Sequence, residues 1–405
     1  MKIAFVTHTA YPEFIGGREQ HVHFFAKACS ELKKDDIVVF TSGNARKVTR
    51  QRIDDTYWLV EIPNIPITVS KNPLQIYRIV PQLYNLFKKE KPDILHLFEY
   101  GSYTTTVAAF YAIRRNLPFV LTVYGYQLTN PILRLCKKIY DFVIGKYLLR
   151  KSRAIICVSK QQYHEMLFIG GKNIKEKIFI KANNIPLGYY KDSKLQKLDD
   201  DFYQDFPFLK EKGIKLLTVA RMLPRKGIDI LIKALYIIVH KHKMRDVKLI
   251  LAGPDCGEYR NIETMVHNLG LAYNVHLLGV ISHTNIMKLF RAVDIIVSPS
   301  LYEGVPLVLL EAMFFGKLII ASALPGVKDV IKDGETGVLV EPGDIHSLAQ
   351  AIITFSLDSI ARNRIGKQAR EATHSYDSSR EVEFLYDTIY AGTISRQNQK
   401  MRNNL

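Results

Sequence analysis

The chain has 405 residues, of which 47% are hydrophobic and 23% charged, and its formal net charge is +17. The length exceeds what one hydrophobic core usually organises, and the composition is that of a globular protein, which excludes disordered and fibrous classes. No apolar run reaches the ~20 residues of a transmembrane helix. The apolar run at the start of the sequence is too short, and is followed too early by polar residues, to be a signal peptide. The high positive charge is compatible with three kinds of partner: nucleic acid, an anionic membrane surface or a phosphorylated ligand.

The cysteines and the first glycine pair indicate which cofactors to expect. Four cysteines lie far apart and lack metal-ligand spacing (Cys29, Cys136, Cys157 and Cys256). Such thiols are typical of a reducing compartment, so we expect a cytoplasmic protein without a metal site. Gly16-Gly17 does not form a G-x-G-x-x-G fingerprint, and we therefore predict no dinucleotide cofactor.

The first half of the chain alternates apolar runs with amphipathic segments. After the first run, Val22, Phe25 and Cys29 fall on one helical face. The apolar runs are rich in Val, Ile and Leu, which is typical of parallel strands covered on both faces. They read "KIAFVTH", "DIVVFTS", "DILHLF", "FVLTVYG" and "AIICVS". We predict one α/β domain over residues 1–195.

A charged stretch, residues 189–213, interrupts this pattern and is predicted to link two domains. The runs then resume as "KLLTVA", "KLILAG", "VHLLGV", "DIIVSPS", "LIIASA" and "GVLVEP". They predict a second domain of the same kind over residues 210–375. The fold class is therefore α/β, with two tandem doubly wound Rossmann-like domains and an interdomain cleft, and ligands are expected at the carboxyl ends of the strands.

Two glutamates stand out in the nearly apolar stretch "SPSLYEGVPLVLLEAM", residues 298–313. Glu303 and Glu311 are eight positions apart, and a buried carboxylate is costly unless a partner satisfies it. We interpret them as the two ends of a site for an extended ligand. The alternative is that Glu303 is a surface loop residue and that Glu311 faces solvent.

Between these glutamates, the sequence predicts a helix that begins at Pro306 and ends near Phe315. Proline suits the first helical position because its missing N–H has no partner there in any case. The first free amides, at Leu307 and Val308, would then hold an anion.

Basic residues follow the first strand of the second domain. Arg221 ends that strand, and Lys226 precedes the helix that Gly227 opens. Two cations near a helix N-terminus suit a diphosphate, although loop cations are more often simply solvated.

In the first domain, Gly16 and Gly17 follow the first strand, where glycines let the backbone approach a phosphate or sugar. His96 and Tyr124 lie at the carboxyl ends of two other strands. His96 is either a site residue or a satisfied core histidine.

Together these stretches resemble the retaining nucleotide-sugar glycosyltransferases of family 4. The resemblance rests on "VARMLPRKGIDILIKAL" and on the E-x7-E block, and it covers most of residues 213–372. The first domain matches more loosely. The ending "YDSSREVEFLYDTIY" looks like the family's terminal helix, expected at 376–398 and packed on the first domain. The resemblance implies the GT-B fold.

The resemblance also implies an activity: retaining, metal-independent transfer of a hexosyl unit from a nucleoside-diphosphate sugar to a glycan or lipid-linked sugar. It needs no cofactor. The catalytic residues would be Glu303, His96 and Tyr124. Donor contacts would come from Gly16, Gly17, Arg221, Lys226, Gly279, Glu303, Gly304, Val305, Pro306, Leu307, Val308 and Glu311.

This chain departs from the family's pattern at two positions. Tyr124 stands where the family usually has a histidine that contacts the donor sugar, and Phe98 occupies the second position of the family's H-x-H. A phenol donates a hydrogen bond but is not a base near neutral pH. The alternatives to an active transferase are a non-catalytic nucleotide-sugar-binding homologue and a nucleotide-sugar epimerase.

Residues 131–153 carry seven Lys or Arg against one Asp, and Ile132, Leu135, Ile139 and Phe142 share one helical face. This segment is either a surface helix on anionic lipid or, as we prefer from sequence, a core-covering helix with a solvated basic face. The first interpretation would place the protein on the inner face of the membrane. Lys and Arg are otherwise scattered and no nucleic-acid-binding motif is present, so we expect no nucleic-acid partner.

Overall fold

The computed structural model describes residues 1–12, 16–43, 46–68, 76–125, 131–192 and 197–390. The chain divides into two compact units. Unit 1 contains Met1–Asn184 and the segment that begins at Ser378, and unit 2 is Ile185–Asp377. The division therefore falls at Asn184, and the described part of the predicted link, 189–213, belongs to unit 2.

Among the described residues, unit 1 forms an eight-stranded sheet in the order β10-β9-β8-β7-β1-β2-β4-β3. Only β3 is antiparallel to its neighbour. The strands are β1 (Lys2–Thr7), β2 (Asp36–Gly43), β3 (Thr49–Ile53), β4 (Tyr57–Pro63), β7 (Ile94–Phe98), β8 (Phe119–Val123), β9 (Ala154–Cys157) and β10 (Ile178–Ile180), and β5 (Ile65–Thr68) and β6 (Ile76–Ile79) form a separate antiparallel pair. The helices are α1 (Gly17–Lys33), α2 (Leu83–Glu90), α3 (Tyr103–Arg114), α4 (Pro131–Tyr140), α5 (Lys146–Lys151) and α6 (Lys160–Gly170).

The pleat of the central strand explains why both faces of this sheet are covered. Successive side chains of a strand point to opposite faces. In β1, Ala4 and Val6 pack in one buried cluster with α3 and α5, whereas Ile3 and Phe5 pack in another with α1. An apolar residue at every position is therefore required, as the continuous run "IAFV" indicates.

In the described part of unit 2, six parallel strands are ordered β13-β12-β11-β14-β15-β16. They are β11 (Lys215–Val219), β12 (Lys248–Ala252), β13 (Val275–Gly279), β14 (Ile295–Ser298), β15 (Leu318–Ser322) and β16 (Val338–Val340). The helices are α7 (Leu187–Tyr190), α8 (Asp200–Asp205), α9 (Ile228–Tyr236), α10 (Tyr259–Asn268), α11 (His283–Ala292), α12 (Leu307–Phe314), α13 (Pro325–Lys328), α14 (Ile345–Leu357) and α15 (Ser359–Ala372). The predicted α/β class with two doubly wound parallel sheets is confirmed.

The strand order fixes where a ligand is expected in each unit. It reverses between β11 and β14 in unit 2, and between β1 and β7 in unit 1. At such a reversal the two crossover helices leave on opposite faces, which opens a crevice at the carboxyl ends of the strands.

The last described helix, α16 (Ser378–Leu385), continues as a π turn, Tyr386–Tyr390, and belongs to unit 1. It packs along α1, with Val382, Leu385 and Tyr390 buried in the same cluster as Phe5. The rest of the helix predicted at 376–398 lies outside the described residues after residue 390.

The segment 131–153 does not cover a core with its predicted apolar face. Leu133, Leu148 and Leu149 are buried, but Ile132, Leu135, Ile139 and Phe142 are exposed. The core-covering interpretation of that face is therefore wrong. Within the described ranges, no helix combines the length and the apolar character needed to cross a bilayer.

Candidate functional site

A small pocket opens in unit 2 where the strand order reverses. Its walls come from the ends of β11 and β14, which are neighbours in the sheet. The residues that line it are Thr218, Val219, Ala220, Lys226, Ile296, Val297, Ser298, Pro299, Ser300, Glu303 and Val308. Three of the sequence-predicted donor residues, Lys226, Glu303 and Val308, therefore meet in one pocket.

Lys226 and Glu303 form an ion pair in this pocket. Ser300 Oγ donates a hydrogen bond to the same oxygen, Glu303 Oε1, at 2.9 Å. Burial, the largest single effect, would raise the pKa of Glu303, but Lys226, Arg225 and the Ser300 hydroxyl together more than offset it and the pKa is lowered. The carboxylate is therefore ionised and held in place, and the interpretation of Glu303 as a solvated loop residue is wrong.

Two further cations act on this pair. Burial lowers the pKa of the Lys226 ammonium, Glu303 opposes that effect, and the charges of Arg225 and Arg221 lower the pKa further. Arg225 is a residue that the sequence analysis missed, although it directly precedes Lys226. Three cations close to one carboxylate leave an excess of positive charge at the carboxyl ends of β11 and β14, as an anionic ligand requires.

A glycine allows close packing of the two loops that carry Lys226 and Glu303, which are 77 positions apart in the sequence. Gly227 has φ +63°, and a Cβ there would lie 2.1 Å from the carbonyl oxygen of Pro299. Leu301 N also donates to Arg225 O at 2.8 Å. Only a residue without a side chain permits this approach of the β11 loop to the β14 loop.

The helix after Glu303 begins one residue later than predicted. Pro306 is the N-cap, with φ −73° and ψ 125°, and α12 runs from Leu307 to Phe314. Leu307 and Val308 are therefore the first two helical residues, whose amides have no intrahelical carbonyl to bind. Gly304 and Val305 precede Pro306 in the loop, and Val305 is buried.

Glu311 is buried in unit 2, with 4% of its surface exposed. Tyr190 OH donates to Glu311 Oε1 at 3.0 Å, and His283 Nε2 lies 3.2 Å from the same oxygen. Burial and the neighbouring carboxylate raise the pKa of Tyr190 well above its ordinary value. The interpretation that Glu311 faces solvent is wrong. The sequence analysis missed both partners: Tyr190 was assigned to the predicted link, and His283 was not singled out.

Gly279 lies apart from these groups. It ends β13, the edge strand, with φ +63°, and its carbonyl oxygen accepts a hydrogen bond from Gly253 N at 2.7 Å. It is not among the residues that line the pocket.

In unit 1, a charged cluster occupies the reversal between β1 and β7. Arg18 Nη1 lies 2.8 Å from Glu99 Oε1, and Arg18 Nη2 lies 2.8 Å from Glu19 Oε1. Glu99 directly follows β7 with φ +116°, and its Oε2 is buried without a hydrogen-bond partner among the described residues. A strained, incompletely satisfied carboxylate at this position is typical of a functional site.

Gly16 and Gly17 lie beside that cluster. Gly16 is the extended N-cap of α1, and Gly17 is its first residue. A Cβ at Gly16 would lie 2.4 Å from Glu19 Oε2. The glycine therefore leaves room for the carboxylate that pairs with Arg18.

His96 has a core environment. Its Nδ1 lies 2.5 Å from Tyr390 OH and its Nε2 lies 2.7 Å from Thr122 Oγ1. Burial lowers the pKa of His96 to about 3, so the ring is neutral. Both nitrogens are engaged inside the unit, which favours the core interpretation over a catalytic one.

Tyr124 is held by a buried histidine. Its OH lies 2.6 Å from His21 Nδ1, and His21 Nε2 lies 3.0 Å from Glu381 Oε2. Asn184 Nδ2 donates to the same carboxylate oxygen at 3.0 Å. Burial and the Glu381 charge raise the pKa of Tyr124 well above its ordinary value, so the phenol stays protonated. The sequence analysis did not single out His21.

Within the described ranges, no group of three or more His, Cys, Asp or Glu side chains is arranged to hold a metal ion.

Comparisons with known proteins cover most of the chain. Residues 15–178 match the family described as Glycosyltransferase Family 4, and residues 199–372 match Glycosyl transferases group 1. An uncharacterized glycosyltransferase of Methanocaldococcus jannaschii is 25% identical over 98% of this chain and 97% of its own. The UDP-Gal:alpha-D-GlcNAc-diphosphoundecaprenol alpha-1,3-galactosyltransferase of Escherichia coli is 24% identical over 78% of this chain and 79% of its own.

Solved structures show the same fold. Anabaena HepE in complex with UDP and glucose superposes with a TM-score of 0.74 at 20% identity, covering 96% of this chain and 100% of that chain. The sucrose-phosphate synthase of Thermosynechococcus elongatus gives a TM-score of 0.74 at 21% identity, covering 96% and 99%. The chain therefore belongs to the GT-B glycosyltransferases of the family 4 type.

Proposed function

We propose that this glycosyltransferase is a retaining hexosyltransferase, which moves a hexosyl unit from a nucleoside-diphosphate sugar to a hydroxyl of a glycan or lipid-linked sugar. The observation that carries the proposal is the Lys226–Glu303 pair, whose side chains are only 14% and 11% exposed, with Arg221 and Arg225 close by, at the strand reversal of unit 2. A UDP complex in a structure of the same fold supports the donor class.

In this proposal, Lys226 and Arg221 bind the donor diphosphate. The Leu307 and Val308 amides, at the N-terminal end of α12, donate hydrogen bonds to the same diphosphate. The glycosidic C–O bond breaks, and its electron pair moves to the diphosphate oxygen. Cations and helix amides already in place stabilise that developing charge, which is often a large term in catalysis. We propose that they do so without a bound metal ion, so activity should persist in EDTA.

Glu303 and Glu311 are proposed to bind the two ends of the donor. Glu303 would accept hydrogen bonds from the transferred sugar, and Glu311 would accept them from the ribose hydroxyls. Glu311 is buried and the Glu303 side chain is only 11% exposed, which supports this assignment. The acceptor hydroxyl attacks from the face that the diphosphate leaves and passes its proton to the departing diphosphate oxygen, and the configuration is retained.

The remaining donor contacts are assigned to loop backbone. We place Gly304, Val305 and Pro306 beside the sugar and phosphate, since they connect Glu303 to α12. Gly279 would lie near the base, and Gly16 and Gly17 would approach the phosphate. Tyr124 is proposed to contact the sugar through its hydroxyl oxygen, while His96 is left to the core.

The proposal is tested with Lys226→Ala and Glu303→Gln. We expect kcat/KM for the donor to fall by about 10²–10³-fold, because each change removes a charge from the site of the transferred group. The measurement is nucleoside-diphosphate release with a panel of nucleotide sugars. Lys233→Ala and Glu335→Gln, at exposed ion pairs, are the matched controls and should keep their activity. Turnover at the wild-type level in Lys226→Ala would contradict the proposal.

A non-catalytic nucleotide-sugar-binding protein is the second candidate, and Tyr124 in place of the family's histidine favours it. It predicts that donors raise the unfolding temperature while no acceptor yields product. Transfer to any acceptor excludes it.

We also propose that the protein works in the cytoplasm, peripherally bound to the inner face of the membrane. The net charge of +17 supports an anionic surface. The acceptor class of the Escherichia coli relative, a diphosphoundecaprenol-linked sugar by its name, agrees with such a location.

A further inference from the structure

The helical segment formed by α4, the π turn Asp141–Gly145 and α5 contacts unit 1 through the buried Leu148 and Leu149 and through polar groups. Lys137 Nζ donates to Asp141 Oδ2 at 2.7 Å, and Tyr100 OH donates to Asp141 Oδ1 at 2.9 Å. The Lys137 and Asp141 side chains are each only 16% exposed. Gly145 lies so close to Tyr100 OH that a Cβ would be 1.8 Å from it. The charged pair of this segment therefore faces the body of unit 1.

The opposite face of the same segment is apolar and exposed. At about 100° per residue, five large side chains fall within an arc of about 100°. They are Ile132 (70% exposed), Leu135 (59%), Ile139 (56%), Phe142 (79%) and Val143 (62%). We call these five residues the apolar stripe. Single exposed apolar residues are ordinary, but a contiguous row on one helix face marks an interaction surface.

Basic residues border the apolar stripe. Arg134 and Lys138 are exposed on one flank of it, and Arg150 and Lys151 are exposed on α5. Residues 131–153 contain one acidic residue, Asp141, and its carboxylate is turned inward. The outer face of the segment therefore combines apolar side chains with positive charge alone, which complements a surface that is both apolar and anionic.

We propose that the apolar stripe is the surface through which this protein docks on an anionic lipid bilayer. The helix lies in the plane of the interface, Phe142 and its apolar neighbours enter the acyl boundary, and Arg134 and Lys138 contact lipid phosphates. The proposal rests on the peripheral membrane location proposed above and adds the residues that produce it.

An aromatic pair extends this surface toward α3. Phe110 on α3 and Tyr147 on α5 stack with ring centroids 6.4 Å apart, and both are exposed. Tyrosine is enriched at membrane interfaces because its ring is apolar and its hydroxyl is polar.

The test is co-sedimentation of the full chain with vesicles of phosphatidylcholine alone and of phosphatidylcholine and phosphatidylglycerol in equal parts. We expect binding to the anionic vesicles that weakens as salt is added. The double variant Ile139→Ser/Phe142→Ser should bind them at least about tenfold more weakly, because two apolar side chains no longer enter the bilayer. Arg134→Gln/Lys138→Gln should lose most of the preference for anionic lipid.

The matched control is Leu357→Ser/Ile360→Ser, which removes two exposed apolar side chains from unit 2 and should bind like the wild type. Equal binding of the Ile139→Ser/Phe142→Ser variant and the wild type would overturn the proposal but leave a membrane location intact. Failure of the wild type to bind either vesicle would overturn both. Oligomers without lipid that Phe142→Ser dissociates would instead make the apolar stripe a contact between copies of this chain. Nucleoside-diphosphate release, measured separately, reports on the transferase proposal alone.

Discussion

The residues around Tyr124 determine the protonation and hydrogen bonding of its hydroxyl. His21 contacts its hydroxyl, and Glu381 contacts the other nitrogen of the same histidine ring. Because its pKa is raised by burial and by Glu381, the phenol is confined to donating or accepting a neutral hydrogen bond. A histidine at this position would bring a second ring against His21, so Tyr124 and His21 have to be considered together.

We therefore predict that Tyr124→His changes donor preference or rate, whereas Tyr124→Phe lowers kcat/KM by about tenfold through loss of one hydrogen bond. The measurement is steady-state kinetics with several nucleotide sugars. Tyr236→Phe, at a half-exposed tyrosine of unit 2, is the control. If Tyr124→His keeps the same donor and the same rate, Tyr124 does not touch the sugar.

The lowered pKa of Glu303 predicts that the stability of the fold depends on pH. This pKa lies below the ordinary 4.5 in the folded protein, because Lys226, Arg225 and Ser300 together more than offset the effect of burial. The unfolded chain then binds a proton more readily, so this contribution to stability is present above pH 4.5 and is lost as the pH falls through the folded pKa. Denaturant unfolding should show a shallower loss of free energy below pH 4.5 for Glu303→Gln than for the wild type. Equal slopes would count against the ionised pair, and Glu335→Gln is the control.

At the scale of elements, the close approach of the β11 and β14 loops positions the pocket. Gly227→Ala should lower the free energy of unfolding by at least about 2 kcal/mol, because it combines a positive φ with a collision against Pro299 O. Gly334→Ala is the matched control: it has φ +71° but nothing within 4 Å of its added Cβ. Urea denaturation measures both. Equal losses would show that the loops separate easily and that the approach does not hold Lys226.

The sequence predicts those parallel strands that are continuous apolar runs. It does not predict two other parallel strands: β4, whose alternating "YWLVEIP" also pairs with the antiparallel β3, and β10, which has only three residues. Glu303 was predicted as a site residue because it is a carboxylate in a nearly apolar stretch, and Lys226 because it is a cation just before a helix N-terminus. The hydrogen bond from Tyr190 to Glu311 joins positions 121 apart, and no local pattern reports such a contact.

At the scale of the whole molecule, a donor that binds only the folded protein stabilises it. At a nucleotide concentration of about 100 Kd, the gain is ~2.7 kcal/mol, which raises the unfolding temperature by a few degrees. Thermal unfolding with uridine, guanosine and adenosine diphosphates would identify the base. The shift should disappear in Lys226→Ala and persist in Lys233→Ala. A shift that survives Lys226→Ala would place the nucleotide elsewhere.

The two ends of unit 2 meet each other. Ile185 N donates to Tyr376 O at 2.9 Å, and Ile185 pairs with Asp377. Unit 2 is thus one uninterrupted insertion between two separate pieces of unit 1. On the ribosome, all of unit 2 is made before α16 and the π turn that ends at Tyr390 leave the exit tunnel. Until then His21 lacks Glu381 and His96 lacks Tyr390, so the domain that is synthesised first is completed last.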